Sequence, residues 1–162
     1  MVKEETFPFD SAWSSHKFGG SPAFKYELAV SAVSDHIVWA NGPFKAGKAD
    51  VSIFRNSGLK MSLIWANEMA AADSGYAGDD RIRQKYEGFH EERIYNSNLR
   101  ARQESVNQRI KNYGCMSQRW RQGDYEHFYY FRAVLALVQL EFEHKPLMRV
   151  NKEGHKQWNY GV

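Results

Sequence analysis

The chain has 162 residues, 43% of them hydrophobic and 15% aromatic, with a formal net charge of +3. That is enough apolar chain for one domain with a real core, and it excludes wholesale disorder. A single cysteine, Cys115, excludes an internal disulfide framework and any multi-cysteine zinc site. The charged start, Met1 to Asp10, does not read as a signal peptide, and the most apolar stretch, Ala133 to Val138, is too short to span a bilayer. A soluble intracellular protein is expected.

Residues 1–22 read as irregular, broken by Pro8, Gly19, Gly20 and Pro22. Phe24 to Val33 then reads as a strand, and a Ser34-Asp35 turn leads into a second strand, His36 to Ala40. The resulting hairpin is expected to end at Asn41-Gly42-Pro43. Asp50 reads as the N-cap of a helix carrying Val51, Phe54, Met61, Ile64 and Trp65, interrupted near Gly58. Met69 to Ala72 is a short apolar run closed by Asp73-Ser74-Gly75, which suits a buried strand with a carboxylate at its C-terminal tip. Residues 77–97 read as an irregular insertion with some helix, Asp79-Asp80 serving as a helix start. A helix over 98–113 follows, then a loop around Gly114 and Gly123. Tyr125 to Phe142 is apolar nearly all round, which predicts a buried helix. From Lys145 onward the chain is polar and is expected to fray. The order is that of an α/β layer fold.

The segment from Asn98 to Asn112 carries the most information. Leu99, Val106 and Ile110 form an apolar stripe, while Arg100, Glu104, Asn107 and Lys111 form a separate row about 100° round the helix. One carboxylate in a row of cations suits metal binding flanked by phosphate contacts; ordinary ion pairs on a solvated face are the plainer account. The charge distribution is uneven in the same sense: residues 1–80 carry −3, residues 81–123 carry +6, and the remainder is neutral. Tyr86, Phe89, Tyr95, Tyr113 and Trp120 interleave with that basic block, as a surface that follows phosphates requires. Asp73 at a strand tip and Glu104 on a later helix can meet at one sheet edge. Such convergence is the geometry of a two-metal phosphodiester site, with ions about 3.5–4 Å apart. The six histidines show no ligand spacing and read as structural or surface groups. Cys115 reads as a small buried apolar residue.

The run Ala71-Ala72-Asp73-Ser74-Gly75-Tyr76, followed by Arg102-Gln103-Glu104-Ser105-Val106-Asn107-Gln108-Arg109-Ile110-Lys111-Asn112, resembles the DDE superfamily endonucleases, the transposases of the Harbinger type. Ser15-His16-Lys17-Phe18, Tyr26-Glu27, Trp39-Ala40-Asn41-Gly42-Pro43-Phe44, Ile53-Phe54-Arg55 and Phe131-Arg132-Ala133-Val134 resemble the same family in the same order, over roughly residues 7–142. Arg100, Glu104 and Lys111 also match an Arg-x3-Glu-x6-Lys signature of related insertion-sequence transposases; its leading tyrosine falls at Ser97, a departure.

The resemblance implies a ribonuclease-H-like mixed sheet flanked by helices and metal-dependent cleavage and joining of DNA strands, with Mg²⁺ or Mn²⁺ as cofactor. It implies Asp73 and Glu104 as catalytic and metal-binding residues, and Arg100, Arg102, Asn107 and Lys111 as nucleic-acid contacts. DNA is the implied partner, together with a homo-oligomer and a separate DNA-binding protein; the location would be nuclear in a eukaryote and cytoplasmic otherwise.

In the family the first catalytic aspartate sits on the opening strand, ahead of the segment resembling Phe7-Pro8-Phe9-Asp10, and no residue here matches it. Residues 1–145 are therefore expected to form a partial catalytic domain with its opening strand largely missing, Met1 to Phe7 supplying at best a stub, and 146–162 a polar tail. Such a domain would be crippled in cleavage and marginal in stability. The alternative is a non-catalytic DNA-binding or protein-interaction module of transposon origin.

Overall fold

A computed structural model describes residues 23–84, 89–150 and 156–157. The expected stub at Met1 to Phe7 lies outside them. Strand β1 (Phe24–Val30) pairs antiparallel with β2 (Ile37–Lys45), as the hairpin pattern predicts. The second strand runs through Asn41-Gly42-Pro43 rather than ending there, because a register shift between Lys25 and Glu27 lets the ladder resume at Lys25–Phe44 beyond the proline. Gly42 is required at this point. Its φ is +132°, and a Cβ there would stand 2.7 Å from the Tyr26 ring.

Two short helices follow, α1 (Asp50–Asn56) and α2 (Gly58–Ala66), broken at Ser57. Asp50 is the first helical residue rather than the N-cap, which is Ala49. The expected apolar face is only partly right: Ile53, Phe54 and Leu63 are buried, whereas Met61 and Trp65 are exposed. Asn67, in left-handed conformation, ends α2 and turns the chain into β3 (Ala70–Ala72).

Residues 77–97 hold more order than their polar composition suggests. A 3-10 turn over Ser74–Tyr76 leads to β4 (Ile82–Gln84), which pairs parallel with β3. Asp79-Asp80 belongs to the turn before β4, not to a helix start. Helix α3 (His90–Lys111) begins eight residues earlier than the expected 98, with Glu92 accepting the Phe89 N–H at 2.8 Å. A helical turn α4 (Gly114–Ser117) occupies the expected loop, and α5 (Asp124–His144) closes the main body.

Two apolar cores flank the hairpin. The larger joins Val106 and Ile110 of α3 to Phe131, Val134, Leu135, Val138 and Phe142 of α5, with Tyr26, Leu28 and Val30 against it. The smaller gathers Phe54, Leu63 and Ile82 with Tyr76 packed beside them. His127, fully buried, stacks on Phe24 and is hydrogen-bonded to the Tyr26 hydroxyl at 2.6 Å, a structural role.

Helix α5 buries one stripe only. Tyr125, Tyr129, Tyr130, Leu137 and Leu140 are exposed, so its all-round apolarity overstates its burial. The chain is not frayed from Lys145 onward as expected, since Leu147 and Met148 are buried and β5 (Arg149–Val150) pairs with β6 (Lys156–Gln157). No helix among the described residues is long and apolar enough to cross a membrane.

Candidate active site

Asp73 stands at the C-terminal tip of β3, half-buried, as the sequence pattern predicts. One carboxylate oxygen accepts the Gly75 N–H at 3.0 Å, which fixes the 3-10 turn. That turn brings a second carboxylate into register. A Cβ on Gly75 would stand 3.1 Å from Asp73 Oδ1 and 2.7 Å from Asp50 Oδ2, so both carboxylates border the space that a side chain there would fill. The other oxygen of Asp50 is paired with Lys25 Nζ at 2.8 Å. The turn continues into Tyr76, which packs edge-on against Phe54. Burial raises the Tyr76 phenol above its ordinary range, and the carboxylates of Asp50, Glu27 and Asp73 add to the rise. The phenol therefore lies in the field of three carboxylates at once.

Glu27 is the unusual member. It lies on β1, on the face away from the larger core, and is 2% exposed. Trp39 Nε1 donates to its Oε2 at 2.8 Å, while Oε1 is buried with no hydrogen-bond partner. An orphaned carboxylate oxygen in a protein interior costs free energy, on the order of 1–3 kcal/mol or more. Neither Asp50 nor Glu27 carried a sequence signal for this site. Asp50 is 23 residues from Asp73 in the chain, and only the packing of α1 beside the 3-10 turn unites them.

The loop after Asp73 is tied down by a second group. Asp79, with its side chain buried, takes Arg55 Nε at 3.0 Å and Lys60 Nζ at 2.8 Å, and accepts the Arg81 N–H at 3.2 Å. Burial alone would raise its carboxyl; Lys60, the Arg81 N–H and Arg55 outweigh that and hold it down at about 2. Asp79 is thus a pinned structural anion, and Arg55 holds it in place.

Helix α3 packs beside β3. Glu104 is exposed on it, its Oε1 accepting from Gln108 Nε2 at 3.1 Å. Lys111 is exposed, and Arg100 and Asn107 are half-buried. Among the described residues no three histidine, cysteine or carboxylate side chains are arranged to hold a metal ion.

Arg102 departs from its expected role as a nucleic-acid contact. It is 2% exposed, and its guanidinium donates to the carbonyls of Ser31, Ser34 and Met148 and pairs with Asp35 at 2.9 Å. It is a buried clamp between α3, the hairpin turn and the C-terminal segment. The signal was present in the spacing: Arg102 precedes Val106 and Ile110 by four and eight residues, on the buried stripe. Arg109 is likewise engaged, donating to the Lys145 carbonyl at 2.7 Å and lying over the Phe142 ring.

Comparison with known proteins decides the family. Residues 4–140 match the DDE superfamily endonuclease family. The chain belongs to it. No curated protein and no solved structure matches the chain. DDE superfamily endonucleases generally use divalent metal ions, and the residues here fit such an ion. Asp50 and Asp73 offer hard oxygen donors, and Gly75 leaves the space that a Cβ would fill.

Proposed function

We propose that the chain is a DDE-type transposase or endonuclease domain of ribonuclease-H-like fold, built for cleavage and joining of DNA phosphodiester bonds with Mg²⁺ or Mn²⁺ and crippled in that chemistry because no residue matches the family's first catalytic aspartate. Asp73 carries the reading: its carboxylate stands at the tip of β3, and α3, which bears Glu104, packs beside that strand. The antiparallel pair β1–β2 and the parallel pair β3–β4 suit the two flanks of a ribonuclease-H-like sheet. The expected stub of its opening strand, Met1 to Phe7, lies outside the described residues.

In this reading Asp73 and Glu104 hold the cations, and Arg100, Asn107 and Lys111 contact the phosphate backbone from the same helix. When bound, divalent ions supply the charge that activates the attacking oxygen and stabilises the leaving one. Lys25 and the Asp79 clamp keep α1 and the post-β3 loop in place, so that the carboxylates do not have to be ordered when DNA arrives.

The test is nicking of supercoiled DNA in Mg²⁺ or Mn²⁺. Nicking by the wild-type chain, weak because no residue matches the family's first catalytic aspartate, that Glu104→Ala abolishes is the expected result; because Glu104 is exposed, its folding stability should change by no more than about 0.5 kcal/mol. Salt-sensitive DNA binding without nicking would instead support the alternative, a non-catalytic DNA-binding module. In either case Lys111→Ala should lower the slope of log affinity against log salt by about 1.

A further inference from the structure

We infer that the exposed face of α5, with the groove between α5 and β2, binds a second copy of this chain in a two-fold dimer whose α5 helices run antiparallel. The inference goes beyond the nuclease reading and does not depend on it.

Helix α5 buries Phe131, Val134, Leu135, Val138 and Phe142 in the larger core. On the projection at about 100° per residue, Tyr125, Tyr129, Ala133, Ala136 and Leu140 fall within about 80° of one another on the opposite side. All five are exposed, Leu140 to 57%. A continuous apolar stripe of this length on a protein surface marks an interaction face. Beside it lies a shallow groove of about 270 Å³, lined by Val38, Trp39 and Ala40 of β2 and by Leu135, Ala136 and Gln139 of α5. No lining residue is charged. The Gln139 amide is engaged at both ends: its Oε1 accepts the Ile37 N–H at 2.9 Å, and its Nε2 donates to the Asp35 carbonyl at 2.6 Å. The groove thus takes an apolar side chain, and Leu140 projects from the same face. A knob and a hole on one surface are what a self-complementary two-fold interface requires.

Charge selects the occupant and the orientation. Arg132 and Glu143 are exposed and lie within about 20° of each other on the projection, with Ala136 and Leu140 between them along the helix. Among the described residues neither forms an ion pair. A second α5 running antiparallel sets each Arg132 level with Glu143 of the other copy, whereas a parallel one sets like charges together. The same register sets Leu140 level with Leu135 of the second copy, at the groove, so one alignment pairs the charges and fills both grooves. Ala133 and Ala136 let the two helices approach closely. Nucleic acid suits this face poorly, since a single arginine there stands against the carboxylates of Glu126 and Glu143.

The test is sedimentation equilibrium of the full chain without DNA or metal. A reversible monomer–dimer equilibrium is expected, and Leu140→Asp should weaken it by about a hundredfold. Arg132→Glu and Glu143→Arg should each weaken it by about tenfold, and the variant carrying both changes should recover the wild-type affinity. All three positions are exposed, and far-ultraviolet circular dichroism of each variant separates lost association from lost folding. A wild-type chain that stays monomeric up to about 1 mM overturns the inference. So does a dimer that folded Leu140→Asp leaves intact, or a double variant no tighter than the single ones. Protection of α5 amides from hydrogen exchange that appears only when DNA is added would assign the face to DNA and overturn it as well. None of these readouts is nicking, so failure here leaves the nuclease reading standing.

Discussion

Arg102 and Glu27 are buried to the same degree, each 2% exposed, and the protein treats them in opposite ways. Arg102 spends every arm of its guanidinium on a partner: three backbone carbonyls and the Asp35 carboxylate, which also accepts the Leu147 N–H. Glu27 has one oxygen on Trp39 and the other on nothing. A buried charge with all its hydrogen bonds made holds elements together, and its charge is invisible from outside. A buried charge left half unmatched raises the free energy of the fold. The comparison separates a buried ion whose hydrogen bonds are all made from one that keeps an unmatched oxygen.

The largest expected effect lies on the structural side. Arg102→Ala should destabilise the fold by about 3–5 kcal/mol, because it strands Asp35 and three carbonyls. Denaturant unfolding monitored by tryptophan fluorescence measures this. A loss below 1 kcal/mol would mean that the clamp is solvated and that Arg102 is free to meet DNA after all.

Asp79 supplies an intermediate case, a buried carboxylate with full compensation. Its folded carboxyl is held down at about 2, below its unfolded value, so the stability it contributes is fully present above about pH 4. That contribution should drain away as pH falls from about 4 toward 2. The Asp79→Asn chain should show a flatter decline of melting temperature across that window than the wild type. Equal slopes would remove Asp79 from the compensated class.

The smallest effect is the most diagnostic. Glu27→Gln should stabilise the chain by about 1 kcal/mol, since the amide keeps an acceptor for Trp39 and removes a buried, half-unmatched charge. Destabilisation would show that Oε1 is already satisfied, and the contrast with Arg102 would fail.

Much of the fold was legible from local pattern. The hairpin, the break at Gly58, the strand ending at Asp73 and the helix bearing Glu104 all follow from period, breakers and caps. The parallel β3–β4 pair was not legible, because Ile82–Gln84 is three residues in a polar stretch and becomes a strand only by pairing with Ala70–Ala72. The exposure of one side of α5 was hidden for a related reason: composition records that Leu137 and Leu140 are apolar, not whether anything packs on them. For the candidate site, Asp73 was visible at its strand tip. Asp50 read as a cap, and Glu27 only as part of the Tyr26-Glu27 segment that resembles the family.

What the sequence by itself determined is the order of the elements, the place of Asp73 at a strand end and the charged row of α3. These depend on neighbours within a turn or a strand repeat, where spacing alone decides which side chains share a face. Only the tertiary structure decided which charges are clamps and which border one space. Arg102 meets Ser31 and Met148, and Asp50 joins Asp73 beside Gly75, across dozens of residues of chain. Hydrogen bonding and desolvation act on that spatial arrangement, which no local period encodes.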